Sequence, residues 1–180
     1  LVLKHLFSTF IPIQSLYVAH DSGERKKPTI VLLHGIAATS STWDTLLREL
    51  DLKNNRVIAI DLLGFGQSPK PENCEYTVDD HIKYLRKTIK RLKIHGKFKI
   101  VGHSMGSIIS SRYSLYYPRQ IKEVFLLSPP IYIDKVELKS VVERGRTDFF
   151  MNIYKFLSEQ KNFTIKTADR LRKLLNVQSG

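Results

Sequence analysis

Short apolar runs alternate with longer segments of helical period along the first 130 residues of the chain. The clearest run is Thr29 to Leu33, whose apolar character is typical of a strand covered on both faces. Further strands are predicted near 15–19 and over 56–60, 97–101 and 124–127. This alternation favours an α/β fold in which helices flank a mostly parallel sheet.

Three helices are predicted between these strands. One covers 41–50 with Ser41 as its cap, one covers 104–117, and one begins at Thr77, which forms a capping pattern with Asp80. The helix that begins at Thr77 carries an apolar stripe at spacings of three and four residues: Ile82, Leu85, Ile89 and Leu92. Such a stripe indicates that one face of this helix packs against the sheet.

The pattern changes after residue 130, where two helical segments, about 135–160 and 164–176, follow each other with no strand between them. We therefore divide the chain into an α/β core over 1–130 and a helical segment over 131–180. Four aromatic residues of the helical segment cluster in one stretch: Phe149, Phe150, Tyr154 and Phe156. This cluster either roofs an apolar pocket or packs the helical segment onto the core.

The amino-acid composition excludes several classes of protein. The chain has 180 residues and one cysteine, Cys74, which excludes an internal disulfide and multi-cysteine zinc or iron–sulfur sites. With 42% hydrophobic and 26% charged residues, the chain does not resemble a disordered protein. No apolar run approaches the roughly 20 residues of a spanning helix. The single cysteine and the lack of a convincing signal peptide favour the cytoplasm.

One motif carries recognisable chemistry. The segment Gly102–Gly106 joins an apolar strand to a helix, which is the context of a nucleophile elbow. A nucleophile on so sharp a turn requires residues without side chains two positions before and two after it, and both are glycine. The turn raises the Ser104 hydroxyl above the sheet and leaves the Met105 N–H free to bind an oxyanion. A second donor is predicted at the Ile36 N–H, in the loop after an earlier strand.

These motifs resemble those of the α/β-hydrolase superfamily, in its lid-bearing esterase and lipase branch. The resemblance covers about 15–130 and depends on the strand that ends at His34-Gly35, the loop Asp61-x-x-Gly64-x-Gly66-x-Ser68, and the elbow 102–106. It implies the α/β-hydrolase fold. It also implies that 131–180 is the first part of a helical cap over the pocket.

The resemblance implies a serine hydrolase that acts on carboxylic esters with an apolar acyl part. Ser104 is the implied nucleophile and forms an acyl-enzyme, while the N–H groups of Met105 and Ile36 hold the oxyanion. Serine at this position argues against the epoxide-hydrolase and dehalogenase branches, which carry aspartate there. C–C hydrolases, thioesterases and amidases share the elbow and stay open. No metal or organic cofactor is implied, and the implied partner is a small-molecule ester.

Six residues are predicted to line the substrate pocket: His34, Gly35, His103, Trp43, Phe149 and Phe150. Trp43, on the helix after the oxyanion loop, either lines the pocket entrance or belongs to the core.

The histidines depart from the family pattern. The family orders its triad as serine, acid and histidine along the chain. Here all the histidines precede Ser104: His5, His20, His34, His81, His95 and His103. Asp134, Asp148 and Asp169 follow Ser104, but they lie in or next to cap-like sequence, where surface charge or helix capping explains them. We expect the triad acid and histidine to lie outside this chain, as in an incomplete chain. The alternative is a non-catalytic binding protein with the hydrolase fold.

Positive charge is concentrated in one segment. The chain has 29 Lys and Arg against 17 Asp and Glu. Eight of the basic residues, and no acid, lie between His81 and Lys99: Lys83, Arg86, Lys87, Lys90, Arg91, Lys93, Lys97 and Lys99. A solvated helix face is the simpler interpretation, and no nucleic-acid binding is expected because no aromatic interleaving accompanies the charge. Weak contact of Lys83, Lys87 and Lys90 with an anionic surface is the alternative.

Overall fold

The computed structural model describes residues 13–50 and 52–130. Its strands are β1 (Val18–Asp21), β2 (Thr29–Leu33), β3 (Arg56–Ile60), β4 (Phe98–His103) and β5 (Ile121–Leu127). They form one sheet in the order β1-β3-β2-β4-β5. β1 runs antiparallel to β3, and every other neighbouring pair is parallel. The predicted α/β class and mostly parallel sheet are confirmed.

Helices cover both faces of this sheet. The α-helices are α1 (Asp44–Glu49), α2 (Val78–Leu92) and α3 (Met105–Tyr116), and short 3-10 helices occupy Ser40–Trp43 and Pro118–Gln120. Successive side chains of a strand point to opposite faces, so each strand contributes to two cores. α2 and α3 pack on the face that contains Leu33 and Ile58, and the α1 side packs on Leu32 and Val57. The apolar stripe predicted for α2 is buried as expected.

Two helix caps were predicted from the sequence, and the structure confirms one of them. Thr77 and Asp80 form the predicted capping box at the start of α2, with each side chain bonded to the backbone N–H of the other. The prediction of Ser41 as a cap is wrong, because the helical segment begins with a 3-10 helix at Ser40, and the cap lies two residues before Ser41. This cap is Thr39, which has extended backbone (φ −136°) and accepts a hydrogen bond from the Ser41 N–H.

The strand predicted near 15–19 lies later in the chain, over Val18–Asp21. The N–H groups of the two residues before it donate to side chains, although the Tyr17 carbonyl still accepts from the Asp61 N–H at 3.0 Å. The Leu16 N–H donates to Thr88 Oγ1 at 2.8 Å, and the Tyr17 N–H donates to Ser68 Oγ at 2.8 Å. These N–H groups bond to side chains that lie far away in the sequence. The residues near 15–19 therefore did not indicate where the backbone pairing of β1 begins.

The other four strands occur where they were predicted, although β4 and β5 differ at their ends. β5 forms one edge of the sheet as far as it is described, and its residues Val124 to Leu127 are between 36% and 44% exposed. The predicted helices after residue 130, with Phe149 and Phe150, lie outside the described residues. Within 13–50 and 52–130, no helix is both long enough and apolar enough to cross a bilayer.

The strand order creates one crevice at the carboxyl ends of the strands. From β2 the chain moves to β3 on one side, and from β4 it moves to β5 on the other. β2 and β4 are neighbours, with Leu33 opposite Gly102, so the loops that follow them diverge from adjacent strand ends. Ligands of open α/β sheets bind at such a switch point. The fold therefore brings the predicted oxyanion loop next to the predicted nucleophile.

Candidate active site

Ser104 stands on a strained turn between β4 and α3. Its backbone has φ 51° and ψ −116°, in a region that residues with side chains seldom occupy. The Ser104 N–H donates to the Leu127 carbonyl at 2.9 Å, and the Ser104 carbonyl accepts from the Ser107 N–H at 2.9 Å. The turn is thus fixed to the end of β5 and to the first turn of α3. This is the geometry expected of a nucleophile elbow.

The two glycines of the motif are required by close backbone approach. A Cβ atom on Gly102 would lie closer than 3.0 Å to the Gly106 carbonyl. A Cβ atom on Gly106 would lie closer than 3.0 Å to the carbonyls of Leu33 and His34, at the end of β2. The absent side chains therefore let α3 start directly against β2 and β4, which accounts physically for the spacing of the motif.

The loop after β2 contacts this turn. A Cβ atom on Gly35 would lie 3.1 Å from Ser104 Cβ and 3.0 Å from His103 Nδ1, so the loop and the elbow are in van der Waals contact. Ile36 follows on the same loop and is half-buried, and Met105 is the first residue of α3. The positions agree with an oxyanion site between the two N–H groups, and their role stays a prediction.

His34 links two loops and is not available to a substrate. It is fully buried, its Nδ1 lies 2.7 Å from the Gly35 carbonyl, and its Nε2 lies 2.9 Å from the Leu62 nitrogen. Because the Leu62 N–H donates, Nε2 must accept, and we infer that Nδ1 carries the proton and donates to Gly35. Burial lowers the pKa of His34, which favours this neutral form. The prediction of His34 as a pocket residue is corrected: it positions the oxyanion loop.

Two further predicted pocket residues have different outcomes. Trp43 is 4% exposed and packs with Leu32, Val57 and Ala59 on the α1 face, which supports the second of its two interpretations, the core. His103 is half-buried beside Gly35, as its position next to the nucleophile requires. Its Nδ1 is buried and has no hydrogen-bond partner within the described residues. That nitrogen therefore does not accept a hydrogen bond from the Ser104 hydroxyl.

Asp61 holds together the loops around the site, a role that the sequence analysis missed. Its carboxylate is buried and accepts hydrogen bonds from the Ser40 N–H at 2.8 Å, the Ser40 hydroxyl at 2.6 Å and the Gln67 N–H at 2.9 Å. Gly66 approaches so closely that a Cβ atom there would overlap the carboxylate. The loop that begins at Asp61 was identified as a motif from the sequence. The role of Asp61 was not, because its partner Ser40 lies 21 residues away.

An apolar hollow opens beside the elbow, between α3 and the end of β5. Its volume is about 440 Å³, and its polar lining residues include Ser111 and Arg112. Its apolar lining residues are Val78, Ile108, Leu115, Leu126, Pro129 and Pro130. Ser107, one turn into α3 from the nucleophile, also lines it. Within the part of the chain that the structure describes, no group of three or more histidine, cysteine or acidic side chains is placed to hold a metal ion.

A second buried histidine lies near the loops of the site. His81 on α2 is 4% exposed, and its Nδ1 has no hydrogen-bond partner among the described residues. Burial lowers the pKa of His81 to about 4, with a smaller lowering from His34 and an opposing effect of Asp80. His81 is therefore protonated below about pH 6.5 in the unfolded chain, but only below about pH 4 in the folded chain.

We expect the free energy of unfolding to fall as the pH is lowered from 6.5 towards 4. The loss attributable to His81 reaches at most about 3 kcal/mol, because one pKa unit corresponds to about 1.4 kcal/mol. Urea unfolding at several pH values measures it. His81→Leu should show a shallower acid slope than the unsubstituted chain, whereas His95→Leu, at an exposed position, should not. Equal slopes for His81→Leu and the unsubstituted chain would contradict this assignment.

Comparison with known proteins places this geometry in a family. The family model described as "alpha/beta hydrolase fold" matches residues 28–176. A plant relative, "Probable lysophospholipase BODYGUARD 2" of Arabidopsis thaliana, is 34% identical over 130 residues, which are 69% of this chain and 26% of the relative. The chain thus spans about a quarter of the length of the plant relatives that it matches.

Solved structures of other hydrolases resemble this fold. A putative lipase from Acinetobacter baumannii AYE is 25% identical with a TM-score of 0.63, over 87% of this chain and 58% of that one. A structure reported for carboxylesterases of Nitrososphaera gargenis is 30% identical with a TM-score of 0.59, over 73% of this chain and 47% of that one. Since the family model covers most of the chain, the protein belongs to the alpha/beta hydrolase fold family.

Proposed function

We propose that this chain carries the nucleophile and oxyanion site of a serine hydrolase for carboxylic esters with an apolar acyl part. The strained backbone of Ser104, held against the Gly35 loop, is the observation that carries the proposal. Such strain persists only where the surrounding structure enforces it, and it is typical of functional sites. Relatives with lysophospholipase and esterase names support the same chemistry.

In the proposed reaction, Ser104 Oγ attacks the ester carbonyl carbon while its proton passes to a general base. The carbonyl electron pair moves onto oxygen, and the N–H groups of Met105 and Ile36 stabilise that charge. Collapse expels the alcohol, which takes the proton, and leaves an acyl-enzyme on Ser104. Water then attacks the acyl carbonyl, and the acid product leaves with Ser104 restored.

Neither histidine beside the site is placed to act as the general base for Ser104. Both nitrogens of His34 are bonded to backbone, and the His103 nitrogen that faces Gly35 has no partner. The other described histidines, at positions 20, 81 and 95, are not near the turn in sequence, and none follows Ser104. The 180-residue chain by itself should therefore hydrolyse esters weakly or not at all, because an unassisted serine is a poor nucleophile at neutral pH.

A substrate series tests the proposed class. The full-length protein is assayed with p-nitrophenyl acetate, butyrate and octanoate, and with the anilide and thioester of the preferred acyl group. The proposed apolar acyl part predicts that kcat/KM rises from acetate to the longer acyl chains, because each added methylene buries more apolar surface. Faster turnover of the anilide or thioester than of the matched ester would reassign the protein to the amidases or thioesterases.

A further inference from the structure

The outer face of α2 is a continuous strip of positive charge. Lys83, Lys87, Lys90 and Arg91 are all exposed and fall at helical spacings that place them on one side. Ile82, Leu85 and Ile89 occupy the opposite, buried side. The exposed residues Lys93 and Lys97 continue the charge beyond the end of the helix. We call these six residues the basic strip: Lys83, Lys87, Lys90, Arg91, Lys93 and Lys97.

Within residues 13–50 and 52–130, carboxylates neutralise little of this charge. Lys83 pairs with Asp80 at 3.2 Å, but Asp80 also bonds to Thr77 in the capping box. In the described ranges, no carboxylate forms an ion pair with the other five residues of the strip. Like charges three and four residues apart on a helix repel each other. An external anionic surface would relieve this repulsion.

Apolar and aromatic side chains lie next to the start of α2. The Tyr116 hydroxyl at the end of α3 lies 3.1 Å from Asp79 Oδ1, in the first turn of α2. Tyr116 is 46% exposed and its neighbour Leu115 is 71% exposed. Cations beside an exposed tyrosine and leucine are typical of proteins that rest on a membrane interface. By contrast, the aromatic residue of α2, Tyr84, is 9% exposed and offers no surface on which nucleic-acid bases stack.

We propose that the basic strip, with Leu115 and Tyr116, docks the protein on an anionic phospholipid membrane. The strip supplies an attraction that needs no fixed geometry, and the two apolar side chains enter the headgroup region. Docking is separate from the proposed catalysis, because it depends on residues of α2 and α3 that do not take part in the reaction. It is therefore measured as binding, with no turnover involved.

Vesicle co-sedimentation tests the proposal with the full chain. We expect binding to vesicles of phosphatidylserine mixed with phosphatidylcholine, weak or no binding to phosphatidylcholine alone, and loss of binding as salt is raised. The triple variant Lys83→Glu, Lys87→Glu, Lys90→Glu should weaken binding by at least about 100-fold, since each lost cation contributes about a factor of five and each new carboxylate is repelled by the surface. Circular dichroism checks that α2 persists, as it should, because glutamate is a good helix former.

The matched control changes net charge equally at another place. Arg25, Lys26 and Arg48 are exposed and do not belong to the strip, since the first two lie in the turn between β1 and β2 and Arg48 lies on α1. Their replacement by glutamate should leave most of the vesicle binding intact. An equal loss in both triple variants would show attraction by net charge alone and overturn the proposal. So would the absence of binding to anionic vesicles, or tighter binding of an RNA or DNA duplex that the strip variant abolishes.

Discussion

Ser104→Ala in the full-length protein is expected to abolish hydrolysis of p-nitrophenyl esters. Removal of the hydroxyl leaves no atom to form the acyl-enzyme, and the oxyanion site can then assist only direct attack by water. Loss of a serine nucleophile lowers kcat by roughly 10⁴- to 10⁶-fold in hydrolases of this kind. KM should change little, because the hydroxyl contributes little to binding in the ground state. Steady-state kinetics measure both values.

Ser114→Ala is the matched control for this change. Ser114 lies on α3, the helix that follows Ser104, and its hydroxyl donates to the Ser111 carbonyl at 2.7 Å. The same atom is removed, so the stability and expression of the two variants should be comparable, while only Ser104→Ala loses turnover. Ester hydrolysis retained by Ser104→Ala would refute the assignment of the nucleophile.

Gly106→Ala is expected to have the largest effect on folding. The new methyl group would lie closer than 3.0 Å to two backbone carbonyls, those of Leu33 and His34. Backbone at the end of a central strand cannot move aside as a flexible side chain does, so α3 must shift away from β2. We expect a loss of about 3 kcal/mol or more in the free energy of unfolding, as for other severe overpacking. Urea denaturation measures this loss.

Gly96→Ala provides the comparison, because a Cβ atom there meets no atom within 4 Å. Its backbone has φ +70°, so alanine is strained and should lower the free energy of unfolding by about 1 kcal/mol. The difference between the two variants isolates the steric clash at the elbow. Similar losses at both positions would contradict the close packing of α3 against β2.

The sequence predicted those features that depend on neighbouring residues. β2 and β3 have the predicted bounds because strands buried on both faces appear as continuous apolar runs. The Thr77 cap of α2 and the elbow depend on residues at most four positions apart, and the structure places each where its motif indicated.

Features that depend on distant partners were missed or misread. His34 looked like a pocket residue because nothing near it in sequence reveals its bond to Leu62, 28 positions later. Asp61 bonds to Ser40 across a similar distance. The sequence left Trp43 open between pocket entrance and core, because the face on which this segment packs is set by the strand order and not by the segment itself. Tertiary contacts of this kind are not encoded in local pattern.

Trapping the acyl-enzyme tests the central claim most directly. The full-length protein is mixed with a p-nitrophenyl ester, quenched in acid within the first turnover, and examined by intact mass and peptide mapping. We predict a mass increase equal to one acyl group, located on Ser104 and absent from Ser104→Ala. An acyl group on another residue, or turnover without any covalent acyl species, would contradict the assignment of Ser104 as the nucleophile.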